Sequence, residues 1–152
     1  MTKNKKPELY APPSDPEAEQ SVLGAILLRP EVLDRVVDRL APADFYRKTH
    51  GVIYRSMIDL YSRQEPTDLV TITSLLRERG QLEKVGGPVF LASLCEQVGF
   101  ATNVIAYTEI VRKYAILRRL LDGSQKIAAA CFAPVDNLDE FLDQTEAQIF
   151  KI

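Results

Sequence analysis

The chain has 152 residues, 46% of them hydrophobic and 26% charged, enough for one domain with a sizeable core and without disulfide staples. Its net charge of −2 is not that of a domain whose main task is gripping phosphates, which would carry a basic surplus. No run of eighteen apolar residues occurs, the lysines near the N-terminus precede no apolar stretch, and Cys95 and Cys131 are too few for a disulfide framework or metal site. The two cysteines read as small buried apolar residues in a reducing cytoplasm.

In chain order, residues 1–13 read as a disordered tail ending in Pro12 and Pro13. Ser14 and Glu17 have the spacing of a capping box, with Pro16 tolerated in the first turn. The helix that follows places Ala18, Val22, Ala25 and Ile26 on one face, with Glu17 and Glu19 in the first turn where the helix dipole favours negative charge. Gly24 inside it costs roughly 1 kcal/mol relative to Ala, which close approach of a neighbouring helix would justify. Pro30 breaks the pattern, and residues 31–40 give a short second helix. Over residues 44–64, Ile53, Met57, Leu60 and Tyr61 recur at core-facing spacing. His50 falls on the apolar side of this helix, where it reads as a structural residue. A further helix starts from a Thr cap at TITSLL and stops at Gly80; another starts at Gly86-Gly87-Pro88, with Leu91, Leu94, Cys95 and Val98 on one face, and is closed by Gly99. The fold class predicted is therefore all-α: a globular bundle of about five short helices over residues 14–100, with no strand pattern.

The last third, residues 101–152, predicts a long antiparallel helical hairpin. One helix of nearly thirty residues runs from about Thr102 or Asn103 to Phe132. Asn137, with Glu140 three residues on, caps a second. In the long helix Tyr107, Ile110, Tyr114, Leu117, Leu121, Ser124, Ala128 and Cys131 alternate three and four apart; in the return helix Leu138, Leu142, Thr145, Ile149 and Ile152 do the same. These are coiled-coil seams that can face each other across the hairpin. A second stripe, Ile116, Leu120 and Ile127 with the slim Gly123 and Ala130, lies about 100° around the long helix. One partner helix cannot cover both, so a second copy of the chain is expected on this second stripe. The dimer interface predicted is Ile116, Leu120 and Ile127, with Tyr107, Leu117 and Leu121. Arg112, Lys113, Arg118, Arg119 and Lys126 on the long helix oppose Asp136, Asp139, Glu140, Asp143 and Glu146 beyond it, which suits pairing within one hairpin or between two.

Catalytic and cofactor motifs are missing. No G-x-x-x-x-G-K-[ST] phosphate cradle exists, Pro88 withholds an N–H that the glycine doublet would need to form one, and a single histidine excludes a multi-histidine metal site. No catalytic, cofactor-binding or metal-binding residue is predicted. Arg112, Lys113, Arg118 and Arg119 are candidates for contact with single-stranded nucleic acid, weighed against an ion-pair role on the same helix.

Six segments in this order, PPSDPEAEQSVLGAILL, DFYRKTHGVIYRSM, DLVTITSLL, GGPVFLASL, ATNVIAYTEIVRKYAILRRLL and LDQTEAQIFKI, resemble the N-terminal domain of DnaB-type bacterial replicative DNA helicases over residues 12–152. The departures are Ala101-Thr102-Asn103-Val104, where the family often has Pro-Ala-Asn-Ile, and Gln144-Thr145-Glu146, where it often has Glu-Ala-Glu; neither disturbs the packing pattern. The resemblance implies a non-catalytic collar domain whose hairpins pair into dimers, within a homohexameric, ATP-hydrolysing ring that translocates 5′ to 3′ on single-stranded DNA in the cytoplasm. It implies a C-terminal RecA-like motor, absent from this chain, as the holder of ATP and magnesium. The implied partners are a second copy, primase, a helicase loader as a further candidate, and DNA through the ring. Phe132, Val135, Asp136 and Asn137 at the hairpin turn are the candidate primase-docking residues.

Overall fold

The computed structural model describes residues 11–98 and 103–152, and among these it is all-helical. The helices are α1 (Pro16–Leu28), α2 (Leu33–Val36, entered through a 3-10 turn at Pro30–Val32), α3 (Lys48–Ser62, preceded by a 3-10 turn at Pro42–Asp44), α4 (Leu69–Glu78), α5 (Gly87–Gln97), α6 (Val104–Cys131) and α7 (Leu138–Phe150). Residues 1–10 of the expected tail, and the stop expected at Gly99, lie outside the described residues.

Each start has a local cause, though two caps differ from the sequence expectation. Asp15, not Ser14, caps α1: its carboxylate accepts from the Ala18 N–H at 3.0 Å. Asp68, three residues before the expected Thr71, caps α4 by accepting from the Thr71 N–H at 2.8 Å. That bond holds the Asp68 carboxyl below the usual carboxylate range. Asn137 caps α7 as the spacing predicts, accepting from Glu140 N–H at 3.1 Å. The second helix is shorter than the pattern over residues 31–40 suggests, reaching only Val36 as regular α-helix.

The chain divides into two compact units, residues 14–115 and residues 116–152 together with residues 11–13. The division thus falls inside α6 rather than at the 100/101 boundary read from the sequence. The first turns of α6 belong to the bundle because Val104, Thr108, Val111 and Ala115 are buried in it, and Arg39 reaches Glu109 at 2.7 Å.

The core of this first unit is continuous. Val22, Leu23 and Ile26 of α1, Ile53, Met57 and Leu60 of α3, Ile72 and Leu76 of α4, and Leu91 and Leu94 of α5 are fully or almost fully buried. Each such side chain contributes about 1.5–3 kcal/mol on burial. Tyr61, placed with this set by periodicity, is instead exposed at the helix edge. Gly24 lies where α1 and α5 cross: a Cβ there would overlap the carbonyl oxygen of Leu94. Tyr54, packed on Phe45, gives its hydroxyl proton to the Leu40 carbonyl at 2.9 Å, and burial together with the Asp44 and Asp38 charges raises its pKa strongly.

A hairpin face that the chain leaves open

In the second unit, the remainder of α6 and the whole of α7 form the arms of the hairpin, with the turn between Phe132 and Asn137. No residue of α7 is buried. The half-buried positions are Ile116, Arg118, Gly123, Ile127 and Ala130 on α6, Phe141 and Thr145 on α7, and Ile152 just beyond it. The Gly123 position lies 3.4 Å from the Ile152 Cδ1 when a Cβ is placed on it, and Ala130 shares a hollow with Phe141.

The arms therefore meet in the opposite sense from the sequence expectation. The slim stripe of Ile116, Gly123, Ile127 and Ala130 is the one that faces inward, although Leu120 at its edge is exposed. The small residues decide this: Gly123 and Ala130 let α7 approach, where leucines would hold it off. The longer seam stays outside, with Leu117, Leu121, Ser124, Ala128 and Cys131 all exposed. On α7 the exposed members of the seam are Leu138, Leu142 and Ile149, with Leu138 63% accessible, and Phe150 beside them is exposed too. Tyr107, expected in the dimer stripe, packs against the core of the bundle instead. Cys131, expected to be buried, is exposed, while Cys95 is half-buried and its thiol pKa is raised by that burial.

The turn presents the four residues singled out for docking on its surface. Phe132 is 92% exposed, and Val135, Asp136 and Asn137 line a hollow of about 360 Å³ with Ala130, Pro134 and Phe141 among its other walls.

The basic residues are spread rather than gathered. Arg112 and Lys113 are exposed, and the Lys113 ammonium sits 4.9 Å from the Tyr114 ring centre. Arg118 is half-buried and donates to the Pro13 carbonyl at 2.8 Å, tying the N-terminal segment to α6. Lys126 pairs with Asp122 one turn earlier at 2.8 Å.

One polar centre in the bundle was not read from the sequence. Glu19 is buried and accepts from the Tyr46 N–H at 2.7 Å and the Arg47 N–H at 3.3 Å, with His50 Nδ1 at 2.8 Å from the same carboxylate. The His50 ring lies parallel to Phe90, centroids 6.3 Å apart. The carboxylate knots α1, the 45–47 segment and α3 together. It is a structural role: both carboxylate oxygens are engaged by the chain's own groups. Glu19 had been read only as favourable charge near a helix start, and only its unusual place one residue after the buried Ala18 could have signalled more.

Nothing in the described residues forms a nucleotide cradle. Gly86 and Gly87 take φ of 114° and 79° to enter α5, and a side chain on Gly86 would strike Phe90. No group of three His, Cys, Asp or Glu side chains able to hold a metal occurs among the described residues, and none of their helices is long and apolar enough to cross a membrane.

Comparison with known proteins accounts for this layout. The family model described as DnaB-like helicase N terminal domain matches residues 11–113. The replicative DNA helicase DnaC of Bacillus subtilis is 41% identical over 141 residues, covering 93% of this chain and 31% of the relative. The replicative DNA helicase DnaB of Mycobacterium leprae is 38% identical over 143 residues, covering 93% of this chain and 24% of the relative. The chain thus spans a third or less of the length of these relatives. Among solved structures, the crystal structure of the N-terminal domain of DnaB helicase from Mycobacterium tuberculosis matches with a TM-score of 0.86 and 38% identity, covering 93% of this chain and all of that one. A DnaB-like replicative helicase, whose structure was described with its interactions with primase, matches with a TM-score of 0.77 and 25% identity, covering 91% of this chain and 31% of that one. With its bundle, hairpin and sequence all in agreement, the chain belongs to the DnaB-like helicase N-terminal domain family.

Proposed function

We propose that this chain is the assembly and docking domain of a hexameric replicative DNA helicase, and that its hairpin builds the collar by pairing with a second copy. The observation that carries this is the state of the hairpin. Leu117, Leu120, Leu121, Leu138, Leu142 and Ile149 are all exposed on the two arms, although the same chain buries leucines completely in its bundle. Contiguous apolar surface of that kind marks an interaction site on a folded protein. The open seam, with Leu117 and Leu121, takes the interface role in this reading, and Ile116 and Ile127 support the arm from inside.

The activity of the whole protein is ATP-dependent, 5′ to 3′ unwinding of duplex DNA at the replication fork. ATP and magnesium belong to a RecA-like motor domain, and the described residues of this chain supply no fit for either. DNA then passes through the ring of the parent, and the setting is the cytoplasm. Primase docks on the collar, with the turn from Phe132 to Asn137 as its contact; exposed Phe132 beside a hollow is the feature that suits an inserted apolar side chain. A helicase loader is a further partner in this scheme. Direct binding of single strands by Arg112, Lys113, Arg118 and Arg119 has less support, because Arg118 is spent on Pro13 and the overall charge is negative.

Sedimentation of the chain over a range of concentrations tests the assembly reading. The wild type is expected to dimerise, and Leu121→Asp, at an exposed position that the monomer tolerates, is expected to remain monomeric with unchanged helix content. A wild type that stays monomeric at every concentration, or a Leu121→Asp dimer as tight as wild type, refutes it.

A further inference from the structure

A helix in a folded chain is held by what it buries, and α7 buries the least. The fifteen residues of α3 bury six side chains, Ile53, Tyr54, Met57 and Leu60 among them, and the ten residues of α4 bury three. The thirteen residues of α7 bury none. Its hold on α6 comes from the half-buried Phe141 and Thr145, with Ile152 just beyond it beside the Gly123 position. Lys126 of α6 pairs with Asp122 of its own helix at 2.8 Å, while Asp139, Glu140, Asp143 and Glu146 of α7 are all exposed. A helix shorter than about 12–15 residues is marginal when it stands alone in water.

The junction between the arms leaves each free to end on its own. The Phe132 N–H donates to the Ala129 carbonyl and the Ala133 N–H to the Ala130 carbonyl, both at 3.2 Å, which closes α6. Asn137 then caps α7 through the Glu140 N–H at 3.1 Å. The exposed residues 134–136 thus join two helix ends that are already sealed, and a swing there breaks no bond of either. We infer that α7 is a hinged strap, which opens from α6 as a unit about residues 134–136 and closes again while the bundle stays folded. The closed form prevails, and opening is the lowest-lying local excursion of the chain. Closing creates two features that neither arm has alone. One is the hollow at the turn, walled by Ala130 of α6 and by Glu140, Phe141 and Gln144 of α7. The other is the complete seam, Leu117 and Leu121 from α6 with Leu138, Leu142 and Ile149 from α7. Whatever fills either feature selects the closed strap, and by linkage it favours an occupant of the other.

Amide exchange in the monomer tests the strap. In dilute Leu121→Asp, the amides of residues 142–150 are expected to exchange at least about a hundredfold faster than those of α3. Protection in α7 equal to that in α3 overturns the inference. A staple separates opening from fraying. With Cys95→Ser and Cys131→Ser in the same monomeric chain, Gly123→Cys and Ile152→Cys place two thiols at the end of α7 away from the hinge. A Cβ on Gly123 lies 3.4 Å from the Ile152 Cδ1, so a short bismaleimide can join the pair. The staple is expected to slow α7 exchange about tenfold or more, and a stapled chain that exchanges as fast as the unstapled one overturns the inference too. Phe141→Ala loosens the hold without altering the exposed seam. It is expected to speed α7 exchange about tenfold and, with Leu121 restored, to weaken the dimer about fivefold, since each copy must close before it pairs. Stapled, the same variant is expected to pair as tightly as the stapled parent. Weakening that the staple does not repair means that Phe141 meets the second copy itself, and contradicts the linkage. The dimer measurements rest on the pairing proposed above; a wild type that never dimerises removes that reading, while the exchange measurements still decide the strap.

Discussion

Leu76 on α4 and Leu142 on α7 occupy comparable positions, apolar residues on amphipathic helices capped by Asp68 and Asn137. Leu76 is fully buried, whereas Leu142 is 54% exposed. The difference lies in the number of neighbours, not in the local sequence. In the bundle, α1 is packed on α3 and α5, and α4 on α3 and α5, so that each apolar stripe has more than one cover. In the hairpin each arm has one partner, and one partner covers one stripe. Two regions built from the same kind of helix thus reach different states: one buries its apolar stripes within the chain, the other leaves a stripe exposed.

The largest expected effect sharpens the first half of that comparison. Glu19→Ala leaves His50 and the Tyr46 and Arg47 N–H groups without their acceptor in a dry site. The expected loss is about 3–5 kcal/mol in urea denaturation. The affinity of the dimer should not change among the molecules that remain folded. A cost below about 1 kcal/mol would mean that the carboxylate is not the knot its geometry describes.

The two leucines provide the direct contrast. Leu76→Ala should cost about 2–5 kcal/mol at any protein concentration. Leu142→Ala, measured in dilute monomer, should cost no more than about 0.5 kcal/mol. Equal costs would erase the distinction between the regions.

A smaller effect comes from the α4 cap. Asp68→Ala should lose about 1 kcal/mol. Because Asp68 has its folded pKa lowered by the Thr71 N–H, its contribution is fully present above the ordinary carboxylate pKa and disappears as pH falls through the lower folded value. Wild type and Asp68→Ala should therefore converge in stability once the pH falls below the lowered folded pKa of Asp68 and differ most at neutral pH; an unchanged gap in acid would contradict that linkage.

Much of this architecture was legible in the sequence because helices announce themselves by period and caps. The hairpin, its Asn137 cap, and the close approach at Gly24 follow from spacing and residue size alone. Which stripe faces which neighbour was not legible, since periodicity fixes the angle around one helix but not the partner that fills it. The glycine and alanine at positions 123 and 130 were the available clue: small residues invite the nearest helix, and the nearest helix is the one on the short turn. Glu19 and His50 were hidden for a different reason. They are 31 residues apart, and each has an ordinary local explanation until the fold brings them together. Tyr107 was misplaced because α6 serves both regions, and its periodic pattern runs through the division at residue 115 without a mark.

The bundle covers its apolar residues within the chain, and the hairpin leaves a seam of them exposed. Amide hydrogen exchange measured at several protein concentrations tests it most directly. Protection over residues 116–150 should rise as concentration rises, while protection in α1, α3, α4 and α5 stays constant. Exchange in the hairpin that is independent of concentration, across a range in which the bundle remains folded, would contradict it.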